Sequence, residues 1–125
     1  MADRMHAGRL YQAVAFDKPV QQSDGQGGTI NGWEQQFECR AHYRYLRGGE
    51  SVQAARLEGR QPLIITVRSS SETQQVQTDW RIRDVRTGEF DVNGDWTGVV
   101  YQIKAVNPTD DRRFLEILAE SGVAG

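Results

Sequence analysis

The stretch WEQQFECRAHYRY, Trp33 to Tyr45, decides the fold. Alternate residues fall into two sets: Trp33, Gln35, Phe37, Cys39, Ala41, Tyr43 and Tyr45 against Glu34, Gln36, Glu38, Arg40, His42 and Arg44. A repeat of two is the signature of a β-strand, which sends successive side chains to opposite faces. The first set is mostly apolar and is expected to face a core; the second is charged and faces water or a partner. Cys39 then points inward and His42 outward, too far apart around the strand to hydrogen-bond each other. A buried thiol without an electropositive neighbour stays protonated and inert. The segment is therefore expected to be wall rather than reactive site.

The flanking sequence extends this picture. Upstream, Arg9 to Asp17 carries Leu10, Val14 and Phe16 on one side and is expected to be a strand that stops at Lys18-Pro19, because proline removes a ladder donor. QQSDGQGGTING has too little apolar surface to pack and predicts a long flexible hairpin loop. Downstream, RGGESVQAARLEG breaks the strand at Gly48-Gly49, places Glu50 in a first helical turn and stops at Gly59, predicting one short helix. PLIITVRS alternates Leu63, Ile65 and Val67 against Ile64, Thr66 and Arg68, and predicts another strand. Ser69 to Thr78 is a polar run without core-forming content and predicts a protruding loop, or a ribbon that needs a partner to order. Trp80, Ile82 and Arg83 to Val85 resume the sheet, and Asn93-Gly94 predicts a two-residue hairpin turn. Two strands finish the chain: GVVYQIKAV, with Val99, Tyr101, Ile103 and Ala105 alternating, and RRFLEILAE, joined by NPTDD. Together these predict a mainly β fold, a small antiparallel β-barrel or sandwich with one short inserted helix and long flexible loops. It forms one domain over 1–125, with its core at about 8–120 and a frayed tail, 121–125.

Composition bounds the function. A chain of 125 residues with one cysteine can bury a core without disulfide or metal staples, as expected of folding in a reducing cytosol. No apolar run reaches membrane-spanning length and MADRMHAGRL lacks a signal peptide's apolar centre, so no membrane association is expected. The 15 basic and 17 acidic residues are dispersed, unlike the basic footprint of a dedicated nucleic-acid binder. Arg81, Arg83 and Arg86 cluster, but interspersed acids predict a solvated strand face.

No motif builds an active site. Asp91, Asn93 and Asp95 have the opening spacing of a calcium loop, but Trp96 stands where glycine is needed and Gln102 where a bidentate glutamate is needed. His6 and His42 lie in no ligand motif, DGQGG lacks the lysine and helix of a phosphate loop, and Asp110-Asp111 falls in a turn. No catalytic residue, cofactor or metal is expected.

The order of features is more telling than any one residue. Gly8-Arg9-Leu10, then Gly27-Gly28 before Trp33, then Ile65 and Arg68, Gly98, Tyr101 and Ile103, and finally Arg112-Arg113 leading to Leu115 and Ile117 run across Gly8 to Glu120. This succession resembles the phage head-tail joining proteins, the head-closure or stopper family of the tailed-phage neck. One departure is RIRDVRTGEFDVNGDWTG, longer than the family's compact connection. The resemblance implies a non-enzymatic virion protein, assembled in the host cytoplasm. It would form a homo-oligomeric ring between adaptor or portal on one side and tail terminator on the other, closing the DNA-filled head and touching packaged double-stranded DNA transiently.

A head-to-tail ring needs one patch meeting a different patch on the next copy. Glu34, Glu38, Arg40 and Arg44 are the candidate subunit-contact face. Asp24, Gly27 and Gly28, and Ser69, Ser70, Ser71, Gln74 and Gln75, mark candidate interface or channel loops. The alternatives are another neck or tail component, adaptor or tail terminator, or a small ligand or single-strand nucleic-acid-binding barrel using Trp33, Tyr43 and Tyr45 as a stacking platform.

Overall fold

The computed structural model describes residues 7–122. His6 and the terminal part of the expected frayed tail, 123–125, lie outside them; Ser121 is the last residue of a strand. The described residues form six strands and one α-helix: β1 (Gln12–Ser23), β2 (Thr29–Tyr45), α1 (Glu50–Leu57), β3 (Gln61–Arg68), β4 (Arg81–Asp84), β5 (Val100–Pro108) and β6 (Phe114–Ser121). Every pairing is antiparallel, and the order β1-β2-β3-β6-β5-β4 closes on itself as a barrel. Closure removes the edges that an open sheet would expose. Val14 and Phe16 from β1, Leu63, Ile65 and Val67 from β3, Ile82 from β4 and Ile117 from β6 meet inside at 0% exposure. Phe16 stacks on Phe37 at 4.8 Å between ring centroids.

β2 keeps its inner face from Phe37 onward: Phe37 and Ala41 are buried, and Cys39 and Tyr43 pack against the core. Upstream the alternation breaks. Phe16 pairs with Phe37 but Asp17 pairs with Gln35, leaving Gln36 as an extra residue. Such a bulge moves every residue beyond it to the other face. Trp33 and Gln35, expected inside with Phe37, therefore lie on the outside of the barrel. A second bulge, at Lys104, corrects β5: Tyr101 and Ile103 point inward, but Ala105 pairs with Leu118 and turns out while Val106 packs against the core.

Three loops also differ from expectation. β1 runs through Pro19 to Ser23, and β2 starts at Thr29, so most of the polar hairpin loop is a two-stranded ribbon. β4 leaves β1 after Asp17, so only β2 pairs with the Pro19 stretch and the missing N–H costs no ladder bond on the open edge. The ribbon hid from periodicity because neither face is buried. Ser69 to Thr78 does not protrude: it folds onto the barrel, with Thr73 2% exposed and Val76 part of the core. The Asn93-Gly94 turn is a three-residue loop instead of a two-residue one. Asp91 and Asp95 close it through Asp91 N–H to the Asp95 carbonyl (2.9 Å), and only Gly94 needs positive φ, at 83°. The helix is as expected; Ala55 is its buried residue and Leu57 is 90% exposed.

Candidate assembly surface

Outside β4 lies a second, polar layer. Ile82 points into the barrel, so its neighbours Arg81 and Arg83 point out, where they were expected to be solvated. They are covered instead. Arg83 donates from Nε and Nη2 to Asp17 (2.6 and 2.9 Å) and from Nη2 to Gln35 (2.6 Å), while Arg81 Nε donates to Asp17 (2.7 Å). Asp17 and Arg83 are each 2% exposed. The cover is the hairpin of residues 88–98, the long connection singled out above. Its Phe90 and Trp96 rings lie 4.8 and 5.1 Å from the Arg83 guanidinium, and Trp33 lies 4.7 Å from that of Arg81. A planar cation can stack on rings and donate in its own plane at the same time, which an ammonium cannot. The bulge at Gln36 is what brings Gln35 and Trp33 to this side.

The hairpin base is fastened by close backbone approach: a Cβ at Gly88 would overlap the Gly98 backbone, and one at Gly98 would lie 2.5 Å from Thr87 Oγ1. Between hairpin and ribbon runs an open groove of about 1130 Å³, lined by Ile30, Asn31, Trp33, Arg81, Phe90 and Trp96 among others. Ile30 and Phe90 remain 52% and 51% exposed, and Val92 at the hairpin tip is fully exposed.

The candidate strand face divides at the bulge. Glu38, Arg40, His42 and Arg44 share the outside of β2, whereas Glu34 turns to the other side of the ribbon, opposite Lys18. Arg40 Nη1 (3.4 Å) and Arg86 Nη1 (2.8 Å) both donate to the Tyr11 carbonyl, and the Tyr11 ring meets His42 edge-on at 6.5 Å. Burial lowers the His42 pKa below its usual range, and the Arg9 and Arg44 charges lower it further.

The candidate loops are both held by their own hydrogen bonds. Asp24 accepts from Gln26 N (2.7 Å) and Gly28 N (3.0 Å), folding Gly27 into a compact turn at the ribbon tip. Ser70 and Thr73 cap each other, Thr73 Oγ1 donates to the Arg68 carbonyl (2.9 Å), Ser69 N donates to the Arg113 carbonyl (2.8 Å), and Gln74 and Gln75 reach back to Ser69 and Ser71.

Cys39 and His42 lie on opposite faces of β2, as expected. Burial, with Glu72 adding a smaller push, raises the Cys39 thiol to about 12. At pH 8 its thiolate fraction should be about three orders of magnitude below that of an unperturbed thiol. Native protein should therefore label with a thiol-reactive disulfide reagent at least ~100-fold more slowly than urea-unfolded protein; equal rates would show an accessible, reactive cysteine. The stacking platform is not assembled: Trp33 is outside the barrel, and Tyr43 points in, its hydroxyl on Asp84 at 3.1 Å. Asp91 spends its carboxylate on the N–H groups of Asn93 and Asp95, both at 2.9 Å. Among the described residues no group of three His, Cys, Asp or Glu side chains converges as a metal site.

A family model described as phage head completion protein matches residues 5–122. Among solved structures, protein SF1141 from Shigella flexneri 2a superposes with a TM-score of 0.63 at 21% identity, covering 97% of this chain and 100% of that one. A chain from the virion of a native gene transfer agent particle superposes at 0.58, with 21% identity and coverage of 93% and 98%. A search of curated protein sequences found no match.

Proposed function

Because this chain belongs to the phage head completion protein family, we propose that it is a structural protein of the head-to-tail neck that forms a ring, closes the DNA-filled head and presents a docking surface to the tail. The family match across nearly the whole chain carries this reading. The fold supports it. A closed barrel leaves no sheet edge within its wall, so contacts with other proteins fall to the appendages: ribbon, hairpin and charged outer face. The exposed apolar tip at Val92 and the groove beside Trp33 are surfaces of the kind that assembly covers.

In this role the ring's two sides meet an adaptor or portal above and a tail terminator below, and packaged DNA passes through its lumen. The work is mechanical and needs no catalysis. The residues Asp24, Gly27 and Gly28 at the ribbon tip are the better placed of the two candidate loops to reach a neighbour or the lumen. Ser69, Ser70, Ser71, Gln74 and Gln75 are folded against the barrel and stiffen its end.

Deleting the gene from its parent element is the direct test. Lysates should then contain unjoined tails and heads that leak DNA, and purified protein added to them should restore joined particles. Joined, DNA-filled particles formed without the protein would overturn the assignment.

A further inference from the structure

Two surfaces of opposite sign stand at the two ends of the outer layer. From Gly88 to Ile103 the chain has no basic residue, and the hairpin exposes Glu89, Asp91 and Asp95 around Phe90 and the fully exposed Val92. At the other end, Arg40 and Arg86 converge on the Tyr11 carbonyl, with Arg44 and Arg9 near His42 and the Tyr11 ring 60% exposed. Among the described residues, Arg40, Arg44 and Arg86 form no ion pair. The hairpin carries acidic charge alone, and the corner is mainly basic, with Glu38 the acid beside Arg40 on the same strand face; each has an exposed apolar group. Neither can meet its counterpart within one chain, because the hairpin is pinned over Arg83 through Phe90 and Trp96.

We propose that the acidic hairpin of one copy docks on the basic Tyr11 corner of the next, Val92 against Tyr11 with Glu89 and Asp95 facing Arg40 and Arg44. The proposal rests on the ring reading above and deepens it. The contact is heterologous, patch to different patch, which is the geometry that lets identical subunits close into a ring. Opposite charge sets the register and suppresses like-to-like pairing, since hairpin against hairpin or corner against corner brings equal charges together. The long connection between β4 and β5 thereby acquires a role.

The test uses the full chain with Cys39→Ser and paired new cysteines. Tyr11→Cys with Val92→Cys should give, on mild oxidation, a ladder of covalent multimers beyond the dimer; Leu57→Cys with Val92→Cys, using the exposed helix residue, should give only collisional dimers. Adding Glu89→Arg and Asp95→Arg should abolish the ladder, and adding Arg40→Glu and Arg44→Glu as well should bring it back. Asp91 is left alone because it holds the turn. No ladder above the Leu57 control overturns the docking. If an amine-reactive cross-linker still yields multimers, the ring reading survives without this contact; if it does not, that reading fails as well. A ladder that short duplex DNA disperses would overturn it too, by assigning the basic corner to phosphate.

Discussion

Asp17→Asn is expected to lower the unfolding free energy by about 3–5 kcal/mol, the cost of removing one partner of a buried ion pair. The physical reason is the orphaned cation. Arg83 is 2% exposed, sits under Phe90 and Trp96, and relies on Asp17 for two of its hydrogen bonds. An asparagine keeps the shape but leaves the guanidinium charge with neutral acceptors alone, the new amide oxygen and Gln35, and turns an NH2 donor toward the cation. Arg81 suffers less because its side chain is 13% exposed and can turn to water. For a domain whose total stability is on the order of 5–15 kcal/mol, the loss is a large fraction. Urea unfolding measures it, and near-ultraviolet circular dichroism should change in parallel, since both arginines stack on tryptophans. Replacing both charges, Asp17→Leu with Arg83→Met, should recover most of the stability, because a well-packed apolar pair of similar volume usually matches or exceeds a buried ion pair. A loss below about 1 kcal/mol for Asp17→Asn would mean that Arg83 is solvated after all.

That pair also marks the limit of what a single sequence carries. Phe37 to Tyr45, the helix between Gly49 and Gly59, and Leu63 to Val67 were legible because each expresses its environment locally, by period or by glycine punctuation. Asp17 and Arg83 are 66 positions apart, and each alone has the look of a surface residue; only the closure of β1 on β4 brings them together. The bulges at Gln36 and Lys104 leave no compositional mark, yet each reverses the faces beyond it. One consequence is functional: Glu34, grouped by alternation with Arg40 and Arg44, belongs to a different surface. The ribbon was invisible for another reason. Its strands are held by backbone ladders with both faces wet, and a pattern method detects burial, not pairing. Ser69 to Thr78 misled in the opposite direction, because one valine, Val76, and a serine-threonine cap suffice to fasten a polar segment to the barrel.

Phe16→Ala should cost about 3–5 kcal/mol, by lost transfer energy and an unfilled cavity. Phe16 is 0% exposed, stacked on Phe37, and paired in register with Ile82 across the β1–β4 seam. The ring of strands cannot collapse readily around the gap, since each wall is fixed by ladders on both sides, so little of the cavity term is recovered. Phe16→Leu should cost distinctly less, and Leu57→Ala, at 90% exposure, should stay within about 0.5 kcal/mol of wild type. The midpoint of urea unfolding should fall with an unchanged slope. Phe16 adjoins Asp17 in sequence but faces the opposite side of the wall, so the two variants probe different layers. Truncating Phe16 thins the core while leaving the hairpin pinned over Arg83, and native protein carrying it should still cross-link through Tyr11→Cys and Val92→Cys. Asp17→Asn should weaken both stability and the ladder, because the hairpin it loosens is the part that docks. A Phe16→Ala variant that loses the ladder while still folded would tie assembly to the core and remove the distinction between barrel and outer layer.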